Sequence, residues 1–380
     1  MKSRFFASKS LLFAVALAIP PGRPAIEIKG FRMVESKQEK RQMELVAETA
    51  KLYKPEDIMA LSNLNAQLWG KGKKPYLLNG KIGVIDSNSQ DFKIFEDSEV
   101  RSPEGYLFET LNVRYNSSKR ILISDDDVQA RPTNSRALAQ FQISGTGFVI
   151  HLDSRRYEIL KNVKTQQKMS PKNSISIRSK TVIIDPGISQ ATFQGNVSVK
   201  SPTIDMKGER LQIFFAESPN EDDEKELLHP QKLQLDSPSP LGGRNIQADI
   251  GSLKLQSKGL AIDLSSDGSI VKSEALGSVD GITDEGVKLK ADTLISDVFE
   301  GKNRIILKDS VEILTDDRLA KCQDAVFFPD TGDIVLERVA SVKTDQQLIE
   351  GEIIRFSTKN SEISVEKAKG ELNKSSVLGP

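Results

Sequence analysis

The side chains that most often carry chemistry are scarce and scattered in this chain. Its 380 residues include two histidines, His151 and His229, and one cysteine, Cys322. Two histidines cannot supply a multi-histidine metal site or a set of general bases. A lone cysteine forms no internal disulfide and no thiolate cluster for zinc. Carboxylates are plentiful, but they gather in turns and charge runs, as in Asp125-Asp126-Asp127 and Glu221-Asp222-Asp223-Glu224. No nucleophile pairs with a base, and no phosphate-binding loop is present. The expectation is a protein that is not an enzyme and needs no metal or cofactor. His151 reads as a strand-face side chain and Cys322 as a small core residue. Trp69 reads as packing a hairpin end beside the loop at Gly70–Pro75, and Ser218–Pro230 as a solvated loop. With 53 basic against 53 acidic side chains, no electrostatic term favours nucleic acid.

The elements that would position any site are strands. Short segments alternate apolar and polar residues, as in Lys232–Asp236, Ser252–Gln256, Gly259–Leu264 and Gly286–Lys290. A period of two places one side-chain set on each face of a sheet. Gly, Asn, Asp and Ser punctuate the strands, as at Asn116-Ser117-Ser118, Asp267-Gly268 and Asp330–Asp333. Glu39–Tyr53 is ambiguous: its composition favours helix, while Met43, Leu45 and Ala47 alternate. A loose repeat places a polar residue before valine after each apolar strand, as at Asn162-Val163, Gly195-Asn196-Val197 and Ser310-Val311. Val100, Val128, Val163 and Val197 are 28, 35 and 34 residues apart, and Val279, Val311 and Val342 are 32 and 31 apart. Each interval is about one hairpin, which cannot bury its apolar face alone and so must stack. The polar stretch Gln166–Asn173 breaks the alternation and reads as a linker between two halves. At the N-terminus, Lys2, Arg4 and Lys9 precede the apolar run Leu11–Ile19, which Pro20-Pro21-Gly22 ends. Residues 1–19 therefore read as an export signal or a short membrane anchor. Either reading sends residues 25–380 out of the cytoplasm.

Several segments, in order, resemble the LptC and LptA families of lipopolysaccharide-transport proteins, whose shared domain is called OstA-like. In the first half they are Leu45–Tyr53, Glu99–Tyr106, Phe108–Asn116 and Ile143–Phe148, which look like LptC. In the second half they are Gln194–Val199, Leu289–Asp292 and Gly351–Phe356, which look like LptA. A fusion of the two departs from the usual separate chains. The resemblance implies an all-β protein of two stacked OstA-like β-jellyroll domains, with antiparallel strands folded into a U-shaped apolar groove. It implies an LptC-like domain at 25–168 and an LptA-like domain at 174–380. It also favours strand over helix at Glu39–Tyr53.

The function so implied is non-catalytic. Lipopolysaccharide carries fatty chains that cannot cross water alone, and each buried methylene contributes about 0.8 kcal/mol. A carrier needs an apolar trough and no reactive groups. Candidates for its inner face are Val113 and Tyr115; Val197 and Val199; Leu211, Ile213 and Phe215; Ile305 and Leu307; Val311 and Ile313. The alternative for each is an ordinary dry core. Expected partners are the lipid A acyl chains of lipopolysaccharide, an inner-membrane exporter and outer-membrane translocon components. Further copies could join head to tail through edge strands, one of them near Ile363-Ser364-Val365. The expected location is the periplasm, with a tether to the inner membrane if the N-terminal segment is retained. The competing function is a secreted structural or adhesive β-solenoid, against which the uneven repeat lengths count.

Overall fold

A computed structural model of the chain describes residues 23–54, 57–133, 141–170, 173–215, 230–236, 246–345, 347–360 and 362–367. The signal or anchor segment, the charge run at 218–229 and the stretch 237–245 lie outside these residues. Among the described residues, regular structure is β-strand, apart from one 3-10 turn at Pro186–Ile188. The strands are β1 (Ile26–Lys37), β2 (Lys40–Tyr53), β3 (Ile58–Leu68), β4 (Tyr76–Asp86), β5 (Phe92–Arg101), β6 (Tyr106–Asn116), β7 (Ile121–Pro132), β8 (Gln142–His151), β9 (Arg156–Ser170), β10 (Asn173–Ser179), β11 (Thr181–Asp185) and β12 (Gln190–Lys200). They continue as β13 (Ile204–Phe215), β14 (Pro230–Asp236), β15 (Ile246–Ile250), β16 (Leu253–Ser257), β17 (Gly259–Leu264), β18 (Ile270–Thr283), β19 (Lys288–Phe299), β20 (Lys302–Leu314), β21 (Leu319–Phe328), β22 (Asp333–Lys343), β23 (Leu348–Ser357) and β24 (Ile363–Glu366).

Two sequence ambiguities resolve. Glu39–Tyr53 is strand from Lys40: it pairs with β1 and β3 on either side, and Met43, Leu45, Ala47 and Ala50 are buried. Tertiary burial outweighs the helix propensity of the segment. The expected break in alternation over Gln166–Asn173 is corrected, since β9 runs on to Ser170. Val163, Thr165 and Gln167 are buried at alternate positions while Gln166 and Lys168 are exposed. Polar side chains carry the period there, so counting apolar residues misses it.

Contacts divide the chain into two compact units. The first comprises Met1–Lys168, Ser176–Gln194 and Phe214–His229, and the second Met169–Ile175, Gly195–Ile213 and Pro230–Pro380. In the first unit, β1 to β9 pair antiparallel in sequence order. In the second, β18 to β24 do the same, while β13 to β17 interleave through pairs such as β13–β15, β14–β17 and β16–β18.

The long strands do not run straight. Register shifts fall near mid-strand, between Phe95 and Ser98, Thr110 and Arg114, Ser124 and Asp127, Lys308 and Val311, and Glu337 and Ala340. Residues in these gaps take left-handed backbone: Asp97 has φ 52°, Asp309 60° and Ser310 54°. Bulges of this kind bend a strand and sharpen its twist. They also explain the repeat. Its polar residue before valine is a corner inside a strand, with φ 55° at Asn162 and 51° at Asn196, a conformation that suits asparagine far better than a β-branched residue.

Bending puts the two halves of the long strands in facing layers. Phe108, before the corner of β6, has Val100 and Ala130 as ladder neighbours, yet its ring lies 5.7 Å from Phe148 and 5.5 Å from Tyr157. Both belong to the opposite layer. Within each unit the corners form the base of the fold, and the hairpin turns form two lips at its mouth.

Candidate functional site

All eleven inner-face candidates are buried. Val113, Val199, Leu211, Ile213, Leu307 and Ile313 are fully enclosed, and Phe215, the most accessible, is 4% exposed. The alternation that places Leu211, Ile213 and Phe215 inward leaves Gln212 and Phe214 half-buried on the other face. The first unit brings Val113 beside Ile94, and stacks Tyr115 on Phe92 with ring centroids 5.1 Å apart. Phe215 joins Phe141 at 6.1 Å, and Phe141 meets Phe193 at 6.2 Å. In the second unit Ile305 faces Phe327 on the neighbouring strand, Leu307 faces Leu294, Val311 faces Cys322 and Ile313 faces Leu289. Val197 also borders a cavity of about 750 Å³ with Gly208, Gln247 and Gln256.

The interior is apolar enough to move the few titratable groups within it. Burial pushes the Tyr115 hydroxyl up to about 12, with Arg120 pulling weakly the other way. Burial likewise pushes the Cys322 thiol up to about 12, while its Sγ lies 3.0 Å from the carbonyl oxygen of Asp324. Tyr157 is held well above its ordinary range, first by burial and then by Tyr76 and Glu104 beside it. His151 lies on a strand face, 3.1 Å from Glu158. Among the described residues, no cluster of His, Cys, Asp and Glu is arranged to hold a metal.

The polar contacts that join one lip to the other lie at the mouths. In the first unit Arg120, in the β6–β7 turn, donates through Nη2 to the carbonyl of Trp69, after β3, and pairs with Asp153 at 3.0 Å. Glu104, in the β5–β6 turn, accepts from the Tyr157 hydroxyl and lies 3.7 Å from Arg155. Gly70 packs against the backbone of Leu152 so closely that a Cβ would overlap the Leu152 carbonyl. Trp69 itself lies under the Arg41 guanidinium, 5.4 Å from the ring centre. In the second unit Arg318, in the β20–β21 turn, is 7% exposed and donates to the carbonyls of Ser357, the last residue of β23, at 3.2 Å and of Asn360, beyond it, at 3.1 Å. Glu285 and Lys359 approach to 3.9 Å across the same mouth. Sequence reasoning missed Glu104, Arg120 and Arg318. A single arginine in a polar turn has no spacing that marks it, and its acceptors are backbone groups.

Two family models match this all-β chain in tandem. One, described as lipopolysaccharide-assembly, LptC-related, matches residues 18–168. The other, described as LptA/(LptD N-terminal domain) LPS transport protein, matches residues 176–362. The chain is an LptC-like domain fused to an LptA-like domain. Both domains are OstA-like, antiparallel and almost wholly strand, as the resemblance implied. Both families are non-catalytic transport proteins of the periplasm that bind lipopolysaccharide. The adhesive-solenoid alternative is not favoured. No curated protein matches the chain. Among the described residues, no helix is long and apolar enough to cross a membrane.

Proposed function

We propose that this chain carries lipopolysaccharide across the periplasm as a non-catalytic lipid-binding bridge, from an inner-membrane exporter toward the outer membrane. The tandem of an LptC-like and an LptA-like region supports the reading most directly. In this reading residues 25–168 form the domain that docks on the exporter, and residues 174–380 the domain that hands lipid on. The acyl chains lie between the facing layers, against Val113, Tyr115, Val197, Val199, Leu211, Ile213, Phe215, Ile305, Leu307, Val311 and Ile313. Burial of these side chains supports an apolar lining. Each acyl methylene taken from water contributes about 0.8 kcal/mol, partly offset by the side-chain contacts it displaces. Residues 1–19 export the chain or tether it to the inner membrane.

The edge strand β24 extends the reading. Among the described residues it pairs with β23 alone, over Ile353–Phe356, and an edge strand with free backbone groups is a template for strand addition. Further copies, or a translocon component, join there. The test of the transport reading is lipid analysis of residues 25–380 purified without detergent from cells that make lipopolysaccharide. Co-purifying lipid A supports the reading. Protein that is folded, lipid-free and unable to take up added lipopolysaccharide refutes it.

A further inference from the structure

We propose that the mouth of each unit is a gate, closed by arginine contacts to backbone carbonyls of the opposite lip, and that lipid enters sideways when these contacts release. The inference rests on the transport reading. Its basis is where the inter-layer polar contacts lie. Ladder hydrogen bonds run between neighbouring strands, within a layer, and hold neither lip to the other. In the second unit the span is made by Arg318, whose fork reaches Ser357 and Asn360, and by the exposed Glu285–Lys359 pair. In the first unit it is made by Arg120 on the Trp69 carbonyl and by Glu104, with Tyr157 and Arg155 on the facing lip. Two units with different residues thus use the same device. An arginine desolvated to 7% exposure and bonded only to carbonyls and an exposed aspartate is a costly arrangement for a turn. It is accounted for if it holds something shut.

The second unit also shows where opening leads. A cavity of about 760 Å³ sits at the lip that Arg318 grips, and its walls include Ile334 and Phe356. Both belong to the buried layer, at 0% and 5% exposure. The Arg318 guanidinium lies over the Phe356 ring, 5.5 Å from its centre. Arg318 does not itself line the cavity, but it covers Phe356, which does, so in the proposed gate withdrawing Arg318 uncovers Phe356 and lets the cavity extend inward. The cavity is the vestibule and Arg318 its bolt.

The test locks the mouth of the folded, full-length chain. E285C and K359C are joined by a short bis-maleimide. The native Cys322 is buried and its thiol is pushed up to about 12, so it labels far more slowly. Uptake of fluorescently labelled lipopolysaccharide is then followed by stopped flow. The short link should slow uptake at least tenfold, and a long flexible link between the same positions should restore it to within twofold. Arg318→Gln and Arg318→Lys should each speed uptake at least threefold, since lysine keeps the charge but not the fork. Unchanged uptake in the short-linked protein, with lipid still retained, overturns the gate and leaves the transport reading standing. If no form retains lipid while circular dichroism shows the β-fold intact, the transport reading fails and the gate falls with it.

Discussion

Replacing Phe108 by alanine tests whether the two layers pack as a core or stand apart around a space. Phe108 is 1% exposed, and its ring reaches Phe148 and Tyr157 of the facing layer and Tyr106 of its own. Truncating a buried phenylalanine costs about 3–5 kcal/mol, its aromatic contacts included. In a unit of this size, 1 kcal/mol shifts the midpoint by about 2–4 °C, so Phe108→Ala should lower the first thermal transition by about 6–20 °C. Glu109→Ala is the control. Glu109 points outward and pairs with Arg131 at 3.3 Å in solvent, a contact worth about 0.2–1 kcal/mol. Differential scanning calorimetry on the lipid-free protein measures both. A loss below about 1 kcal/mol for Phe108→Ala would refute the facing-layer packing, because the ring would then have no partner to lose.

Other consequences are directly measurable. Gly70→Ala pushes the Leu152 carbonyl away and should cost about 1–3 kcal/mol, as overpacking does. Gly72→Ala, with open space around it, should be neutral by the same melt. Tyr115 is held neutral by burial, with its hydroxyl raised to about 12. Its contribution is complete below pH 10 and is lost as the pH rises through about 12, so absorbance at 295 nm should report its ionisation there, with unfolding. A signal near pH 10 from intact protein, absent in Tyr115→Phe, would contradict this. Cys322, raised to about 12, should alkylate at pH 8 at least a thousandfold more slowly than a free thiol and at full rate in urea. A photo-crosslinking side chain at position 213 should capture lipopolysaccharide in cells and one at 212 should not, because the two positions face opposite ways. Capture from 212 alone would invert the assigned face.

The sequence makes strands legible wherever apolar residues alternate. Leu211, Ile213 and Phe215 declare their shared face through Gln212, and Val311 and Ile313 through Glu312, whereas Ile306 between Ile305 and Leu307 leaves that face unmarked. The pattern fails where burial is borne by polar residues. Thr165 and Gln167 are 5% and 4% exposed, so a strand passes for a linker. The repeat is visible, but the meaning of its polar residue is not. Asn162 and Ser310 look like turn residues because the left-handed backbone they adopt is the one turns use, and only the register shows that the strand continues beyond them. The mouth is the least legible part. Gly70, Glu104, Arg120 and Arg318 meet carbonyls and side chains tens of residues away, with no periodicity between donor and acceptor.

This division between a legible interior and an illegible mouth has a mechanical reason. Opening the fold along its strands would break ladder hydrogen bonds, each exposing a donor and an acceptor. Parting the layers breaks none of them. What separates are apolar contacts such as Phe108 on Phe148, which acyl chains can replace atom for atom, and a few hydrogen bonds at the lips, which water can replace. The corners at Asp97, Asn162, Asn196 and Ser310 are already in the backbone conformations of bulges. In the proposed gate they are the points at which a small change in bend angle would widen the mouth while leaving the ladders in register. A lipid carrier built from such strands opens most cheaply at its hairpin turns. The turns are therefore where specific polar residues are needed to hold it closed, and the interior needs only to be apolar and of the right period.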